Sequence, residues 1–379
     1  MTPHQTTARD QDDRGPDGLD ARLTRLLRRV AARPGVHHAV MAVESGDGRR
    51  RWRGAAGPAG DAPPVRPGTP FFIASITKRF IAALVLQAHE RGELDLGAPI
   101  TALLPPEEAA GLHVLRGTDR TPSVTVRHLA THTSGLPDHF EKRRGGPSLD
   151  RHLATGRDTA WTFEDTVRIT RREQRPHFAP QDLRSPRQRA RYSDTGFQLL
   201  IRILEEATGR PFPVLLAERL LVPLGLEDTW LPGHRPRRPE AAEPAPLHAG
   251  RRRVELPSLI ASSNDLYSTV GDLLAFQRAL LAGAPFADPR SPAALTERRN
   301  RLRNAPVLSY GLGTMFFTVG RAASPLHRPV TLIGHSGATG TWLFHCPELD
   351  VHLAGTVDQT AGRALPFRIM ARCLNAWRA

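Results

Sequence analysis

A serine and a lysine three residues apart are the first candidates for chemistry in this 379-residue chain. Residues at positions i and i+3 share a helix face, so Ser75 and Lys78 are neighbours if their segment is helical. A desolvated lysine can lose its proton and then accept one from a serine hydroxyl, whereas an arginine cannot. Lys78 and Lys142 are the only lysines among 52 basic residues. The chain therefore carries nearly all its positive charge on arginine but has a lysine at position 78, where only lysine could act as a base. We predict a nucleophile and its base here; the competing interpretation is a helix cap followed by a solvated lysine.

Two later segments carry groups that suit the same chemistry. Tyr192 precedes a predicted helix, and a phenol held beside Lys78 could relay a proton. His335-Ser336-Gly337-Ala338 follows a predicted strand, and a glycine-rich strand end lets a substrate carbonyl approach backbone N–H groups, as an oxyanion hole requires. The alternatives are a core tyrosine, a buried strand histidine and a glycine that serves only a turn.

Composition and charge indicate a soluble globular protein. Its formal net charge is +14, but the arginines are scattered without zinc ligands, an RNA-binding sheet signature or a long basic helix, so we do not expect nucleic-acid binding. Two cysteines are too few for a disulfide scaffold. The N-terminal residues lack the apolar segment of a secretory signal, and no apolar run approaches the ~20 residues of a membrane helix. We therefore expect a cytoplasmic location and no membrane partner.

The pattern of elements predicts an α+β fold. Residues 1–20 are polar and predicted to be a disordered tail, and residues 19–32 have the spacing of an amphipathic helix. Strands are predicted near both ends of the chain, at residues 37–43, 51–54, 310–317, 331–335, 341–345 and 351–357, with a closing helix at 365–377. Helices dominate between them, although residues 138–191 give a weak signal. We predict an antiparallel β-sheet flanked by helices, with a mostly helical subdomain inserted.

The boundaries follow from this division. Residues 21–379 are predicted to form a single catalytic domain, with a sheet subdomain at about 21–70 and 300–379 and a helical subdomain at about 75–290.

Three motifs in fixed order resemble those of the serine penicillin-recognising superfamily, which includes class C β-lactamases, D,D-peptidases and related carboxylesterases. The family pattern is Ser-x-x-Lys, then Tyr-x-Asn, then Lys/His-x-Gly; this chain has Ser75-x-x-Lys78, Tyr192-x-Asp194 and His335-x-Gly337. The resemblance extends from about residue 38 to 357. It implies a β-lactamase/transpeptidase-like fold.

The resemblance also implies roles for individual residues. Ser75 would be acylated, Lys78 would be its base and Tyr192 would shuttle a proton to the leaving group. The backbone N–H groups of Ser75 and Ala338 would form the oxyanion hole. Asp194, His335, Ser336, Gly337 and Ala338 complete the predicted substrate-binding set, and no cofactor or metal is expected.

Three departures from the family pattern bear on the substrate. Asp194 replaces an asparagine that donates a hydrogen bond to the substrate amide; a carboxylate can only accept, and could instead pair with Lys78. His335 replaces the lysine that meets the substrate carboxylate in many lactamases. Asp265 stands in a segment where relatives often have glycines, and we interpret it as a solvated loop acid rather than a pocket residue that favours a cation.

These observations favour a serine hydrolase that forms an acyl-enzyme on a small ester or amide, with a small-molecule acyl substrate as its partner. An acyltransferase that uses an alcohol or amine acceptor has the same residues and remains an alternative. A β-lactamase or D,D-peptidase ranks third, because it requires export and a better carboxylate anchor. A non-catalytic binding protein and a nucleic-acid binder are the remaining alternatives. The sequence leaves the acyl group, the leaving group and the oligomeric state open.

Overall fold

The computed structural model describes residues 18–57, 64–144, 146–361 and 364–379. Most of the predicted disordered tail lies outside these residues; its last residues already belong to the first helix, which begins at Leu19. The strands, in chain order, are β1 (Ala39–Ser45), β2 (Arg51–Ala56), β3 (Phe71–Phe72), β4 (Val114–Leu115), β5 (Thr118–Asp119), β6 (Leu247–Ala249), β7 (Arg252–Val254), β8 (Tyr267–Ser268), β9 (Asn300–Arg301), β10 (Leu308–Tyr310), β11 (Met315–Val319), β12 (Val330–Gly337), β13 (Thr341–Cys346) and β14 (Val351–Thr356).

Helices occupy most of the chain between the first and last strands. In order they are α1 (Leu19–Ala31), α2 (Thr77–Glu90), α3 (Pro106–Ala109), α4 (Val126–Ala130), α5 (Leu149–Thr155), α6 (Phe163–Arg168), α7 (Asp194–Thr208), α8 (Phe212–Leu216), α9 (Pro257–Ser263), α10 (Val270–Leu281) and α11 (Leu365–Arg378). Wider π-type turns extend α6 over Ile169–Glu173 and α8 over Ala217–Leu221.

One large antiparallel sheet joins the two ends of the chain. In the described residues it has eight strands in the order β2-β1-β14-β13-β12-β11-β10-β9. The N-terminal hairpin pairs directly with the C-terminal strand, with Val40 opposite Thr356. The predicted α+β class and its β-lactamase/transpeptidase-like arrangement are therefore confirmed.

The sheet separates two apolar cores because successive side chains on a strand point to opposite faces. On β13, Trp342 and Phe344 pack into the core formed with α1 and α11, whereas Leu343 packs into the core formed with α2 and α10. This alternation determines which strand residues face the helical subdomain. Ser75 and Lys78 lie on the face of the sheet that packs against α2.

Helix α2 is the central element of the second core. Its residues from Thr77 to Ala88 are buried, as the unbroken apolar run of the sequence predicts for a helix enclosed on all sides. Phe80 stacks on Phe276 of α10, with ring centroids 3.7 Å apart and an interplanar angle of 7°. Burial of α2 holds the residues at its N-terminal end in a fixed position relative to the sheet.

One predicted strand is wrong in its extent. The segment 310–317 contains a hairpin turn, since Tyr310 and Met315 pair across it. Gly313 lies in this turn with φ +56°, and a Cβ there would be 2.3 Å from the Cβ of Ala82. Close packing of the turn against α2 thus interrupts a stretch that reads as continuous strand. No helix in the part of the chain that the structure describes has the length and apolar character needed to cross a bilayer.

We predict that Phe80→Ala lowers the free energy of unfolding by about 3–5 kcal/mol, because it removes a buried ring and leaves a cavity between α2 and α10. Urea denaturation followed by circular dichroism measures the change. Leu326→Ala is the matched control: Leu326 is 92% exposed, and its truncation should change stability by less than about 0.5 kcal/mol. Equal effects of the two substitutions would contradict the central position of α2.

Candidate active site

The candidate nucleophile lies in a tight turn that leads into α2. Ser75 is the middle residue of a 3₁₀ turn, Ala74–Ile76, and α2 begins at Thr77. Ala74 has φ 47°, in the left-handed region that a non-glycine residue rarely occupies and that needs support from its surroundings. The serine side chain forms no cap hydrogen bond, so the cap interpretation does not apply.

Contacts from the sheet hold this turn in place. The Thr341 and Thr339 hydroxyls donate to the backbone carbonyls of Ile73 and Phe72, at 3.0 and 3.2 Å. A Cβ at Gly337 would lie 2.6 Å from the Ile73 carbonyl oxygen, so glycine permits the end of β12 to approach the turn. The end of β12 and the serine therefore form two sides of the same cavity.

Lys78 contacts both the serine and an aspartate. Its Nζ donates to Ser75 Oγ at 3.1 Å and forms an ion pair with Asp194 Oδ1. Burial disfavours the charged amine, but the carboxylates of Asp194 and Asp265 outweigh this effect and raise the Lys78 pKa above its usual value. Burial also acts to raise the Asp194 pKa, yet Lys78 holds it below its usual value. The pair is therefore ionic at neutral pH.

Tyr192 lies beside this pair. Its hydroxyl is 3.5 Å from Asp194 Oδ1 and hydrogen-bonds with the Ser75 side chain, and its ring centroid is 5.3 Å from Lys78 Nζ. Burial, reinforced by the negative charge of Asp194, raises the Tyr192 pKa well above its usual value. The phenol is thus neutral and can donate or pass on a proton.

His335 does not line the cavity, unlike the three residues that follow it. Its imidazole is fully buried, accepts a hydrogen bond at Nε2 from the Tyr310 hydroxyl at 2.9 Å, and donates from Nδ1 to the Ser336 carbonyl at 2.8 Å. Burial lowers its pKa to about 3, with Lys78 adding to the effect. A neutral, enclosed imidazole offers no charge to a substrate carboxylate, so the structure does not support the predicted contact between His335 and substrate.

A cavity of about 380 Å³ opens in front of these residues. Ser75, Lys78, Tyr192, Asp194, Ser336, Gly337 and Ala338, which come from distant parts of the sequence, all line it. Aromatic and aliphatic side chains form much of the remaining wall: Phe72, Phe140, Leu153, Phe197, Leu259, Leu302, Leu308, Met315 and Phe367. Such a cavity fits a small substrate with an apolar portion.

Asp265 also lines the cavity, so its interpretation as a solvated loop acid is wrong. Asn264 ends α9 in the left-handed conformation, and the Asp265 backbone N–H donates to Ser263 Oγ at 3.1 Å. These contacts turn the carboxyl group inward. Burial raises its pKa to about 6, while Lys78 opposes and Asp194 reinforces the shift.

Sequence reasoning missed Asp138, whose side chain is only 5% exposed and lines the same cavity. Its Oδ1 accepts the backbone N–H of Phe140 at 2.9 Å. Burial, with the nearby Asp194 adding to it, raises the Asp138 pKa well above its usual value. The sequence gives one indication of this role: Asp138 is an acidic residue that directly follows the apolar pair Leu136-Pro137.

Known proteins share both sequence and fold with this chain. The model of the Beta-lactamase family matches residues 23–367. The D-alanyl-D-alanine-carboxypeptidase/endopeptidase AmpH of Escherichia coli K12 is 26% identical over 210 residues, which are 55% of this chain and 48% of AmpH. Esterase EstB of Burkholderia gladioli is 33% identical over 180 residues, 46% of this chain and 42% of EstB. The match thus spans about half the length of these relatives or less.

A solved structure extends the likeness to nearly the whole fold. The D-stereospecific amidohydrolase from Streptomyces sp. superposes with a TM-score of 0.71 and 26% identity, over 93% of this chain and 97% of that protein. Together with the family model, which covers most of the chain, this likeness confirms the resemblance inferred from the three motifs: the chain belongs to the Beta-lactamase family.

Proposed function

We propose that the protein is a serine hydrolase that cleaves a small ester or amide through an acyl-enzyme on Ser75. The observation that carries the proposal is the position of the Lys78 amine, 3.1 Å from Ser75 Oγ, at a largely apolar cavity large enough for a small acyl group. The names of the relatives, an esterase, a peptidase and an amidohydrolase, agree with acyl chemistry of this kind.

The ion pair constrains how the serine is activated. Lys78 is protonated at rest and can accept the serine proton only after it has passed a proton on, and Asp194 is the carboxylate in contact with it. As Ser75 Oγ bonds to the acyl carbon, its proton moves into the Lys78–Asp194 pair. The bond to the leaving group then breaks, and Tyr192 supplies that group with a proton. A water molecule then attacks the acyl carbon, the proton transfers run in the opposite direction, and the carboxylic acid leaves Ser75.

The oxyanion that develops on the acyl oxygen needs hydrogen-bond donors that have no other acceptor before the reaction. Among the described residues, neither the Ser75 nor the Ala338 backbone N–H donates a hydrogen bond to another group. Free N–H groups on the nucleophile and at the end of a strand are a suitable pair for a negatively charged oxygen. Their availability supports the proposed roles of both residues.

The site gives less support to the β-lactamase and D,D-peptidase alternatives. His335 is buried and neutral, and Asp194 offers a carboxylate where the family asparagine donates to the substrate amide. Intact mass spectrometry after incubation with activated esters and cephalosporins compares these classes directly. Added alcohol or amine acceptors in the same assay measure acyl transfer against hydrolysis.

We predict that Ser75→Ala abolishes turnover of p-nitrophenyl butanoate and covalent labelling by a fluorophosphonate, because the acyl-accepting oxygen is gone. Ser258→Ala, a serine outside the cavity lining, is the control and should retain both. Mass spectrometry detects the adduct, and circular dichroism verifies the fold. Labelling that persists in Ser75→Ala would overturn the assignment of the nucleophile.

Lys78→Arg should reduce kcat by a factor on the order of 10²–10⁴, the usual contribution of a general base. Arginine preserves the positive charge beside Asp194 but does not lose its proton in proteins. Lys142→Arg provides a matched control, since Lys142 is the only other lysine in the chain and does not line the cavity. Near-native kcat in Lys78→Arg would mean that Lys78 acts by its charge alone.

Asp194→Asn should move the lower limb of the pH profile of kcat/KM to higher pH. In the native pair Asp194 takes the proton that Lys78 gives up, so the limb follows protonation of Asp194, whose pKa lies below its usual value. Asparagine cannot take that proton, so the variant is active only where Lys78 itself has lost its proton. Steady-state kinetics across the pH range measures the limb. Asp288→Asn, on an exposed loop, should leave it in place, and an unmoved limb in Asp194→Asn would contradict the role of the pair.

A further inference from the structure

We propose that the cavity selects acyl donors that carry an ammonium group, which the carboxylates of Asp138 and Asp265 bind beside the Lys78–Asp194 pair. This inference rests on the proposed function, because it assigns a substrate class to the same site. It explains two carboxylates that the acyl-transfer steps do not use.

The charge of the cavity is opposite to that of the protein. The chain has a formal net charge of +14, yet no arginine of the described residues lines the cavity. Among the described residues Lys78 is the single basic residue of the lining, which contains five acidic residues: Asp138, Glu141, Asp150, Asp194 and Asp265. These acidic groups would repel an anionic substrate, whereas they would attract a cation.

Two other acidic groups of the lining are held in ion pairs. Glu141, also in the lining, pairs with Arg191 at 2.6 Å, and Asp194 pairs with Lys78. No cationic side chain of the described residues forms a salt bridge with Asp265. Asp138 has only the His139 ring, 3.9 Å away, and burial lowers the His139 pKa to about 4, so the ring is neutral.

These unpaired carboxyl groups are costly to ionise where they lie. Asp138 is buried and Asp265 is half-buried, and both are close enough to Asp194 for its charge to add to the rise in their pKa values, to about 6 for Asp265. A buried carboxylate without a counter-ion is unfavourable, and a cation placed among such groups removes the repulsion. A substrate ammonium would supply that charge.

The fold brings carboxyl groups from three separate parts of the chain into the cavity that Ser75 lines. Asp138 follows α4, Asp194 is the first residue of α7 and Asp265 joins α9 to β8. Phe72 and Leu259 line the same cavity and can contact the hydrocarbon part of the acyl group. Because the serine and the carboxyl groups line one cavity of about 380 Å³, we place the ammonium and the carbonyl carbon near each other, as in an α-amino acyl compound.

Binding to the Ser75→Ala variant tests the inference apart from catalysis. The ligands are D- and L-alaninamide and isobutyramide, which has a methyl group in place of the ammonium and a closely similar shape. We expect at least one alaninamide enantiomer to bind about tenfold or more tightly than isobutyramide in NMR titrations at pH 7, the usual gain from a hydrogen-bonded charged group. Below about pH 6 this preference should shrink, because Asp265 becomes protonated.

Adding Asp265→Asn or Asp138→Asn to Ser75→Ala should remove most of the preference, while adding the exposed Asp288→Asn should preserve it. Circular dichroism shows whether each variant is folded, and the two cavity variants are tested independently. Equal binding of alaninamide and isobutyramide to Ser75→Ala would overturn the inference. So would an unchanged preference in both cavity variants.

The two proposals fail in distinguishable ways. Hydrolysis of p-nitrophenyl butanoate and fluorophosphonate labelling of the unmodified chain test the acyl-enzyme and require no ammonium. If labelling occurs and the binding preference is absent, only the ammonium inference is overturned. If the preference is present and no adduct forms, the acyl-enzyme proposal fails and the cation site is supported.

Discussion

The ion pair between Lys78 and Asp194 occupies the centre of the cavity, and the other polar groups of the site are arranged around it. Enclosure by α2, α7 and the end of β12 acts to lower the pKa of the Lys78 amine, because burial disfavours the charged form. With Asp194 in contact, Lys78 keeps its charge and donates a hydrogen bond to Ser75. Tyr192 approaches the same carboxylate and remains a neutral phenol. The contact with Asp194 therefore helps to keep Lys78 protonated and reinforces the effect of burial that keeps Tyr192 neutral.

This pair depends on a rigid apolar support. Lys78 is on the first turn of α2, whose buried side chains pack against the sheet on one side and against α7 on the other. Asp194 is the first residue of α7, so the two partners lie at the starts of two helices that share a core. Neither backbone can move far without disturbing that core. The same rigidity supports the left-handed residue Ala74, beside the nucleophile.

A strongly basic protein with an anionic cavity illustrates why net charge does not indicate the ligand. Most arginines lie on the surface, where water screens them and ion pairs contribute little. Among the described residues, four aspartates and a glutamate line the cavity with a single lysine, in a medium of lower polarity, so each charge has a larger effect. For a small molecule that reaches Ser75, the local carboxyl groups therefore outweigh the distant arginines.

By itself the sequence determined the family, the α+β class and the elements that have a local cause. Thr125 and Thr269 cap α4 and α10 through their own side chains, and the apolar run after Lys78 forms a buried helix. The motif Ser75-x-x-Lys78 places two side chains together because the spacing is that of a helical turn. The roles of the site residues in catalysis remain predictions.

Only the tertiary structure decided which polar residues face the cavity. His335 belongs to a motif, yet its ring is turned inward to Tyr310; Asp265 resembles a surface acid, yet α9 ends so that its carboxyl group points inward. Asp138 belongs to none of the three motifs and reaches the site because its segment packs against the start of α7. Whether a side chain meets solvent, core or cavity depends on elements distant in sequence, and no local pattern encodes those contacts.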